Sequence, residues 1–183
     1  MKNKESIFPK RHHRHFEKVS LNQFLKDMQS FLGEDADTLN LNKIYSEIKL
    51  PSRGTNNSAG YDFFSPIGFR LPPGKTIKIP TGIKVYVEDN EFLSIHVRSS
   101  TGFKFNVNLL NSTGVIDGDY VDNIDNEGHI WMGFKNHGEK EWFVNIGDAF
   151  GQGIFMKYET VFNDCSQNKQ RIGGIGSTTR YRH

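Results

Sequence analysis

The sequence predicts an all-β domain of the jelly-roll or β-barrel type, with a helical leader before it and a glycine-rich tail after it. Two observations predict this class. Between residues 43 and 162, turn segments such as LPPG, IPTG and NIGD recur about every 8 to 12 residues. Short alternating or apolar runs lie between the turns, among them KTIKI, IKVYV, FLSIHV, WFVNI and GIFMKY. The strands do not alternate with helices, which argues against a doubly wound nucleotide-binding fold.

Residues 1–42 form the predicted leader, and its segment SLNQFLKDMQSFLG is typical of an amphipathic helix. Ser20 can cap the start of this helix and Gly33 can end it. Its apolar residues fall on one stripe at helical spacing: Leu21, Phe24, Leu25, Met28, Phe31 and Leu32. We expect this stripe to pack on the body or on a neighbouring subunit, with docking of a partner protein as the alternative.

Basic residues are concentrated at the start of the leader. Residues 1–20 carry six Lys or Arg against two acids, whereas the whole chain has a net charge of +2. We expect the HHRH run at residues 12–15 to be a solvated basic arm. Because the rest of the chain has a slight acidic excess, its charge does not favour nucleic-acid binding. The lone Cys165 excludes an internal disulfide.

The sequence also predicts where the protein resides. No apolar run approaches the roughly 20 residues of a membrane span, and the N-terminus lacks the apolar core of a secretion signal. We therefore expect a cytoplasmic protein that has no membrane partner.

Residues 163–183 form a polar, glycine-rich tail with few apolar side chains. Such a segment cannot bury enough surface to order itself, so we expect it to be flexible until a ligand holds it. The glycines of RIGGIGSTT let backbone N–H groups curl around phosphate oxygens. The composition therefore favours a flap that closes over a bound ligand.

Chemistry-bearing residues are concentrated in five segments: AGYDFFSP (59–66), RSSTGFK (98–104), GVIDGDY (114–120), GDAFGQ (147–152) and RIGGIGSTT (171–179). The third segment places Asp117 at the end of an apolar run, where a carboxylate can orient and deprotonate a water. The second and fifth supply cations and hydroxyls that, with a divalent ion, can cradle a triphosphate. Neither a GxSxG elbow nor a GxxxxGK loop is present, which argues against an α/β-hydrolase and a P-loop ATPase.

In this order, the five segments resemble the five signature motifs of the trimeric deoxyuridine triphosphate nucleotidohydrolases (dUTPases). The resemblance covers about residues 43–180, and the NEGHI run resembles a longer loop of some Gram-positive bacterial and phage members. It implies a dUTPase-like jelly roll that hydrolyses dUTP to dUMP and pyrophosphate as a homotrimer with shared active sites. It also implies that water attacks the α-phosphorus. Mg²⁺ is then bound mainly through substrate phosphates and waters, with no direct protein ligand assigned.

The resemblance gives roles to residues of the third and fourth motifs. Asp117 matches the water-activating aspartate, and Gln152 matches the glutamine that holds the water or a phosphate oxygen. Tyr120 matches the tyrosine whose ring packs against the deoxyribose and excludes a 2′-hydroxyl. Asn111 matches the hairpin position at the uracil pocket, and Gly114 is predicted to contact the substrate beside it. The alternatives are a turn former for Asp117, a core aromatic for Tyr120 and a solvent-facing strand residue for Gln152.

Residues of the second motif are predicted to bind the phosphate chain of the substrate. Ser99 matches the serine that binds the phosphates near the scissile bond. Ser100 and Arg98 complete the predicted substrate-binding segment, and Arg98 is also expected to support the site electrostatically. Asp62, of the first motif, and Lys104 are predicted supporting residues.

The fifth motif lies in the predicted flap. Arg171 matches the tail arginine that grips the γ-phosphate, and Gly176 and Ser177 are predicted to contact the substrate. Ile175 stands where the family commonly has a phenylalanine that stacks over uracil. An aliphatic lid still excludes water but loses a stacking contribution of about 1 kcal/mol. Thr179 replaces the last glycine of the motif.

The sequence leaves two rival functions open. A dCTP deaminase of the same fold needs a glutamate in the strand after the third motif, and that position falls on Gly133. A regulatory dUTPase-fold protein would bind a partner through its leader. Deletion of residues 1–42 is expected to leave turnover intact in an enzyme and to abolish binding in a partner-recruiting protein.

Overall fold

The computed structural model describes residues 13–164 of the 183-residue chain. The helices are α1 (Leu21–Leu32), α2 (Thr38–Glu47) and α3 (Ser99–Phe105). The strands are β1 (His15–Lys18), β2 (Ser52–Arg53), β3 (Tyr61–Phe64), β4 (Phe69–Leu71), β5 (Thr76–Pro80), β6 (Ile83–Tyr86), β7 (Glu91–His96), β8 (Val107–Leu109), β9 (Gly114–Ile116), β10 (Trp131–Asn136), β11 (Trp142–Val144) and β12 (Ala149–Lys157).

The strands form antiparallel sheets whose neighbours are mostly distant in sequence. The largest sheet has the order β2-β3-β12-β7-β9, and a second has the order β5-β10-β8. β4 pairs with β11, and β1 pairs with β6. Phe63, Phe134 and Phe150, from β3, β10 and β12, are fully buried in the core between the sheets. The predicted all-β, jelly-roll-like class is confirmed.

The apolar runs of the sequence coincide with β5, β6, β7, β11 and β12. The alternation is clearest in β10, where every second residue is buried, among them Met132 and Phe134. Successive side chains of a strand point to opposite faces, so one face of β10 meets the core. The period-two pattern therefore determines which side chains fill the barrel.

The predicted leader helix is present as α1, and its ends are those expected. The Ser20 hydroxyl accepts a hydrogen bond from the Gln23 N–H at 3.1 Å, which caps the start. The helix ends at Gly33, whose φ of 108° favours glycine and whose N–H donates to the Gln29 carbonyl. Phe24 and Met28 are fully buried in the common core, so the apolar stripe packs on the body.

The leader also contributes a strand that the sequence does not predict. β1 pairs with β6 over four residues, and the His15 ring stacks on Tyr86 with centroids 4.5 Å apart. Arg14 forms ion pairs with Glu88 and Glu91, each at 2.9 Å. Arg14 is exposed as expected but is ion-paired with the body, and His15 is half-buried against Tyr86, so the expectation of a solvated arm is wrong for His15.

The structure can also be compared with the predicted limits of the leader and the tail. The predicted boundary at residue 42 falls inside α2, which runs unbroken from Thr38 to Glu47. The leader and the body share one hydrophobic core, to which Leu41 of α2 contributes. The predicted flexible tail at residues 163–183 and Cys165 lie almost wholly outside the described residues.

Within residues 13–164, none of the helices is long and apolar enough to cross a membrane.

Candidate active site

Arg98 connects three of the predicted motifs. It directly precedes α3, and its Nε lies 3.0 Å from Oδ1 of Asp62 in β3. A terminal guanidinium nitrogen donates to the carbonyl oxygen of Ala149 in β12 at 3.2 Å. The pair is partly exposed, so we assign it only about 1 kcal/mol of stability. Its main effect is geometric, because it fixes the start of α3 against the large sheet.

Arg98 contacts β12 through the backbone of Ala149. The acceptor is a backbone carbonyl, so the contact does not depend on the side chain at position 149. Gly151, two residues further along β12, is a glycine for a local reason. A Cβ there would lie 2.7 Å from the sulfur of Met132, so the neighbouring core side chain favours glycine.

Gln152 is held in the centre of the large sheet. It pairs with Asp62 of β3 on one side and with His96 of β7 on the other. Its side-chain amide donates to the carbonyl oxygen of Val97 at 3.1 Å. A Cβ on Gly60 would collide with the Gln152 amide oxygen, so the first-motif glycine makes room for this side chain. Gln152 is half-buried and therefore not a fully solvent-facing strand residue.

The predicted phosphate-binding residues lie on α3, a helix that the sequence does not predict. Ser99, Ser100 and Lys104 are all exposed, while Thr101 faces the interior. Ser100 and Lys104 are four residues apart on a helix and so share one face. A hydroxyl and a cation on one exposed face suit contact with a single polyphosphate chain.

Asn111 lies in a tight turn between β8 and β9. The turn contains Ser112 at a φ of 62°, and the Asn111 carbonyl accepts a hydrogen bond from the Thr113 N–H. β8 pairs with β10 and β9 pairs with β7, so the turn bridges two sheets. The sequence predicts a hairpin at this position, and the described strands do not form one. Gly114 is needed for close approach, because a Cβ there would lie 2.9 Å from Cβ of Ile95.

Asp117 directly follows β9 at an exposed turn. Its carbonyl oxygen accepts a hydrogen bond from the Tyr120 N–H at 3.1 Å, so the residue does form a turn. The turn and the predicted chemistry are compatible, because the turn places Asp117 at the surface. Asp117 borders an open cleft of about 790 Å³ that is also lined by the acidic residues Glu88, Asp89 and Asp119.

Tyr120 is only 8% exposed, which fits the alternative of a core aromatic. Its hydroxyl donates to the His129 carbonyl oxygen at 2.9 Å and accepts from the Asn126 side-chain amide at 2.8 Å. Residues 121–129, which follow it, fold back around its hydroxyl group. The contact with a deoxyribose stays a prediction.

The two groups of predicted residues lie apart in one chain. Ile116 of β9 pairs with Leu93 of β7, and Leu93 in turn pairs with Phe155 of β12. In the direction of the strands, Asp117 is therefore displaced from Gln152 by about four residues, or about 13 Å at 3.3 Å per residue. Two strand spacings of about 4.8 Å separate them across the sheet. The geometry brings Asp62, Arg98 and Gln152 together and leaves Asp117 about 16 Å away.

Among residues 13–164, no group of three or more His, Cys, Asp or Glu side chains is arranged to hold a metal ion. Near α3, the carboxylate of Asp62 is already bound by Arg98. The exposed hydroxyls of Ser99 and Ser100 fit a metal that arrives on the substrate phosphates, because they can contact phosphates and metal-bound waters.

The sequence does not single out several residues that shape the site. Asp27 of α1 contacts the buried His129, 102 residues away, and such a partner leaves no local signal. Asn126 and Glu127 belong to the NEGHI run. The sequence indicates only that this run resembles a longer loop, and it gives neither residue a role. Gly60 is visible as the glycine of AGYDFFSP, but its function depends on a side chain in another strand.

Four predicted residues lie outside the described part of the chain: Arg171, Ile175, Gly176 and Ser177. Their contacts with the substrate stay predictions.

The jelly-roll sheets and the motif residues define a nucleotide-hydrolase type of protein. The dUTPase family model matches residues 46–179, and the chain belongs to the dUTPase family. It is 42% identical over 132 residues to the deoxyuridine 5′-triphosphate nucleotidohydrolase of Lactococcus lactis subsp. lactis. The alignment covers 72% of this chain and 88% of that relative.

Solved structures agree with this family. The crystal structure of dUTPase from Streptococcus mutans has a TM-score of 0.60 at 32% identity, and the match covers 80% of this chain and 97% of that one. The dUTPase from phage phi11 of S. aureus has a TM-score of 0.55 at 20% identity, with 69% and 95% covered, and shows the fold alone.

The deaminase alternative is not favoured by these relatives, and the local structure agrees. Gly133 lies in β10 opposite Lys78. A Cβ at this position would lie 2.8 Å from a terminal methyl of Leu110, so a glutamate there would have to displace that side chain. Position 133 therefore carries no carboxylate and has no space for one without a shift of Leu110.

Proposed function

We propose that this protein hydrolyses dUTP to dUMP and pyrophosphate. The observation that carries the proposal is the family match over residues 46–179, within which the exposed Asp117 turn, the Arg98–Asp62 pair and the positioned Gln152 all fall. The 42% identical Lactococcus relative is a deoxyuridine 5′-triphosphate nucleotidohydrolase, which supports the same reaction here.

The chemistry follows from the residue types. Asp117 accepts a proton from a water, and the water oxygen then forms a bond to the α-phosphorus. The bond from that phosphorus to the oxygen bridging the α- and β-phosphates breaks, and pyrophosphate leaves with that oxygen. The Gln152 amide orients the water or a phosphate oxygen, and Ser99, Ser100 and Lys104 bind the phosphate chain.

The active site is proposed to form between subunits of a homotrimer. The separation of about 16 Å between Asp117 and Gln152 supports this proposal, because the two residues do not converge on one place within a single chain. In such an assembly, Asp117 of one subunit faces the α3 residues of another, and the tail with Arg171 closes over the site.

Mg²⁺ is the proposed cofactor, and it is carried mainly by the substrate phosphates and waters. When bound, it neutralises phosphate charge and so favours departure of pyrophosphate. The acidic side chains beside Asp117 support this proposal. Their negative field would repel a bare triphosphate. A bound divalent cation reduces the negative charge of the triphosphate and so weakens this repulsion.

A protein partner of the leader is a further part of the proposal. Since α1 packs its apolar stripe on the body, a protein partner at the leader would have to use its exposed face, which includes Leu32. A cytoplasmic location and the absence of a nucleic-acid partner stay predictions from the sequence.

The test is the rate of pyrophosphate release from dUTP, dCTP, dTTP and UTP, each with Mg²⁺. Selective turnover of dUTP is expected. Equal turnover of UTP would contradict the sugar-excluding role of Tyr120, and absence of dUTP turnover would overturn the function itself.

A further inference from the structure

The loop of residues 121–129 determines where Tyr120 lies. The Tyr120 hydroxyl donates to the His129 carbonyl oxygen at 2.9 Å and accepts from the Asn126 amide at 2.8 Å. The Asn123 amide donates to the Tyr120 carbonyl oxygen at 2.7 Å. Both the ring and the backbone of Tyr120 are therefore bound by one loop, and a shift of this loop must move the ring.

The loop has a backbone conformation that needs outside support. Asp122 and Glu127 have φ values of 55° and 57°, in the left-handed region that residues other than glycine rarely adopt. Gly128 has a φ of 80°, and a Cβ there would lie 2.7 Å from Cα of Val121. Such conformations persist only where surrounding contacts hold them.

Helix α1 provides one of these contacts through a buried pair. His129 is fully buried, and its Nε2 accepts a hydrogen bond from the Gly82 N–H at 2.7 Å. Because Nε2 is an acceptor, the ring proton is assigned to Nδ1, which donates to Oδ2 of Asp27 at 2.5 Å. The Gln23 amide donates to the same oxygen at 2.7 Å. Burial alone would raise the pKa of Asp27, but the hydrogen bonds from His129 and Gln23 outweigh it and lower that pKa below its ordinary value.

The start of α1 provides a second contact. The Ser20 backbone N–H donates to Oε2 of Glu127 at 2.8 Å, and its hydroxyl donates to Oε1 at 2.6 Å. The same hydroxyl caps α1 by accepting from the Gln23 N–H. The negative charge of Glu127 lies at the positive end of the helix, where it is stabilised. Helix start and loop thus share one hydrogen-bond network.

The start of the loop, next to Tyr120, is held by the body. Lys84 of β6 lies 2.6 Å from Oδ1 of Asp122, and the Tyr86 hydroxyl donates to Oδ2 at 2.7 Å. The two contacts made by α1 therefore hold the part of the loop that carries the Tyr120 hydroxyl partners. Helix α1 lies before residue 46, where the match to the dUTPase family begins.

We infer that α1 is a positioning element for Tyr120, and that it acts through Asp27 on His129 and through Ser20 on Glu127. This inference rests on the proposed function. Tyr120 excludes the 2′-hydroxyl of a ribonucleotide only while its ring is fixed, so the leader helix sets the preference for dUTP over UTP. Asp27 and Glu127 are positioning residues that touch no substrate.

The experiment compares kcat/KM for dUTP and for UTP in the full chain and its variants. Asp27→Ala removes the acceptor of the His129 proton, and Glu127→Ala removes both acceptors of Ser20. In each variant the ratio of the two kcat/KM values is expected to fall about tenfold, because a displacement of about 1 Å is enough to spoil a fixed geometry. Amide hydrogen exchange of residues 117–130 is expected to become faster in both.

Two controls separate positioning from a general loss of stability. Val144→Ala creates a cavity in β11, which pairs with β4 and not with β6 or the loop, and should lower Tm while leaving the ratio unchanged. Asp27→Asn keeps an acceptor for His129 and should retain most of the wild-type ratio.

The outcomes distinguish the two proposals. An unchanged ratio in both alanine variants, with wild-type turnover of dUTP intact, overturns the inference alone. A wild-type protein that does not hydrolyse dUTP overturns the proposed function. If Asp27→Ala does not fold, Glu127→Ala decides, because Glu127 is only half-buried.

Discussion

The two halves of the candidate site are held by different parts of the chain. Arg98, Asp62 and Gln152 are fixed by neighbouring strands of the large sheet, within the region that matches the dUTPase family. The turn of Asp117 and Tyr120 continues into a loop that is held by α1, which lies outside that region. The difference teaches that family motifs can be complete in sequence while part of their support comes from an added segment.

The largest effect is expected at the exposed turn. Asp117→Asn keeps the shape of the side chain and removes the proton acceptor, so kcat should fall by roughly 10²- to 10⁴-fold. Pyrophosphate release under saturating dUTP measures it. The matched control is Asp35→Asn, an exposed carboxylate in the connection between α1 and α2, which should retain full activity. Near-normal turnover in Asp117→Asn would contradict the mechanism and leave the turn with a structural role only.

A smaller effect is expected in the sheet half of the site. Gly60→Ala introduces a methyl group that collides with the Gln152 amide, so this side chain must turn away from its position. We expect kcat to fall about tenfold through the loss of an oriented amide. In a Gln152→Ala background the same substitution should cost almost nothing more. Additive losses in the double variant would show that Gly60 acts independently of Gln152.

The ion pair of the sheet half should affect stability more modestly. Arg98→Lys loses the planar geometry that reaches Asp62 and the Ala149 carbonyl together, at about 1 kcal/mol. For a domain of this size Tm should fall by about 2–4 °C in thermal denaturation. Arg70→Lys is the control, since its pair with Glu141 is largely exposed and should contribute little. Equal shifts in both variants would remove any special importance from the Arg98 contact.

The smallest effect concerns the pH dependence of the leader contact. The pKa of Asp27 is lower in the folded protein than in the unfolded chain, where it is about 3.9. Its contribution to stability is therefore present above about pH 4 and is lost as the pH falls through the folded value. Asp27→Asn should be less stable than wild type at pH 7, and the gap should narrow below pH 4. A constant difference in Tm across this range would show that ionisation of Asp27 contributes nothing.

Much of the fold follows from local patterns. The strands of the body alternate in hydropathy or form short apolar runs between Pro and Gly turns, and α1 has a clear cap at Ser20 and a glycine end. α3 is not predicted, because RSSTGFKF contains glycine, serine and threonine, which are poor helix formers. β1 is not predicted, because HFEK is short and only its pairing with β6 makes it a strand.

The candidate site is predictable only to the extent that motif residues mark it. Asp117, Gln152, Arg98 and Ser99 are recognised from their segments. The pairing of Asp27 with His129 is not, because contacts between residues 102 positions apart depend on the fold as a whole. The distance between Asp117 and Gln152 likewise follows from strand register, which the sequence alone does not determine.

The short strand β1 has a practical consequence for truncation. Without it, the backbone N–H and C=O groups of β6 that face β1 would lose their partners and form an open sheet edge. Open edges recruit strands from other molecules, so a shortened chain should aggregate even where its chemistry is intact. Removal of the leader would then reduce the yield of soluble protein and conceal any effect on turnover.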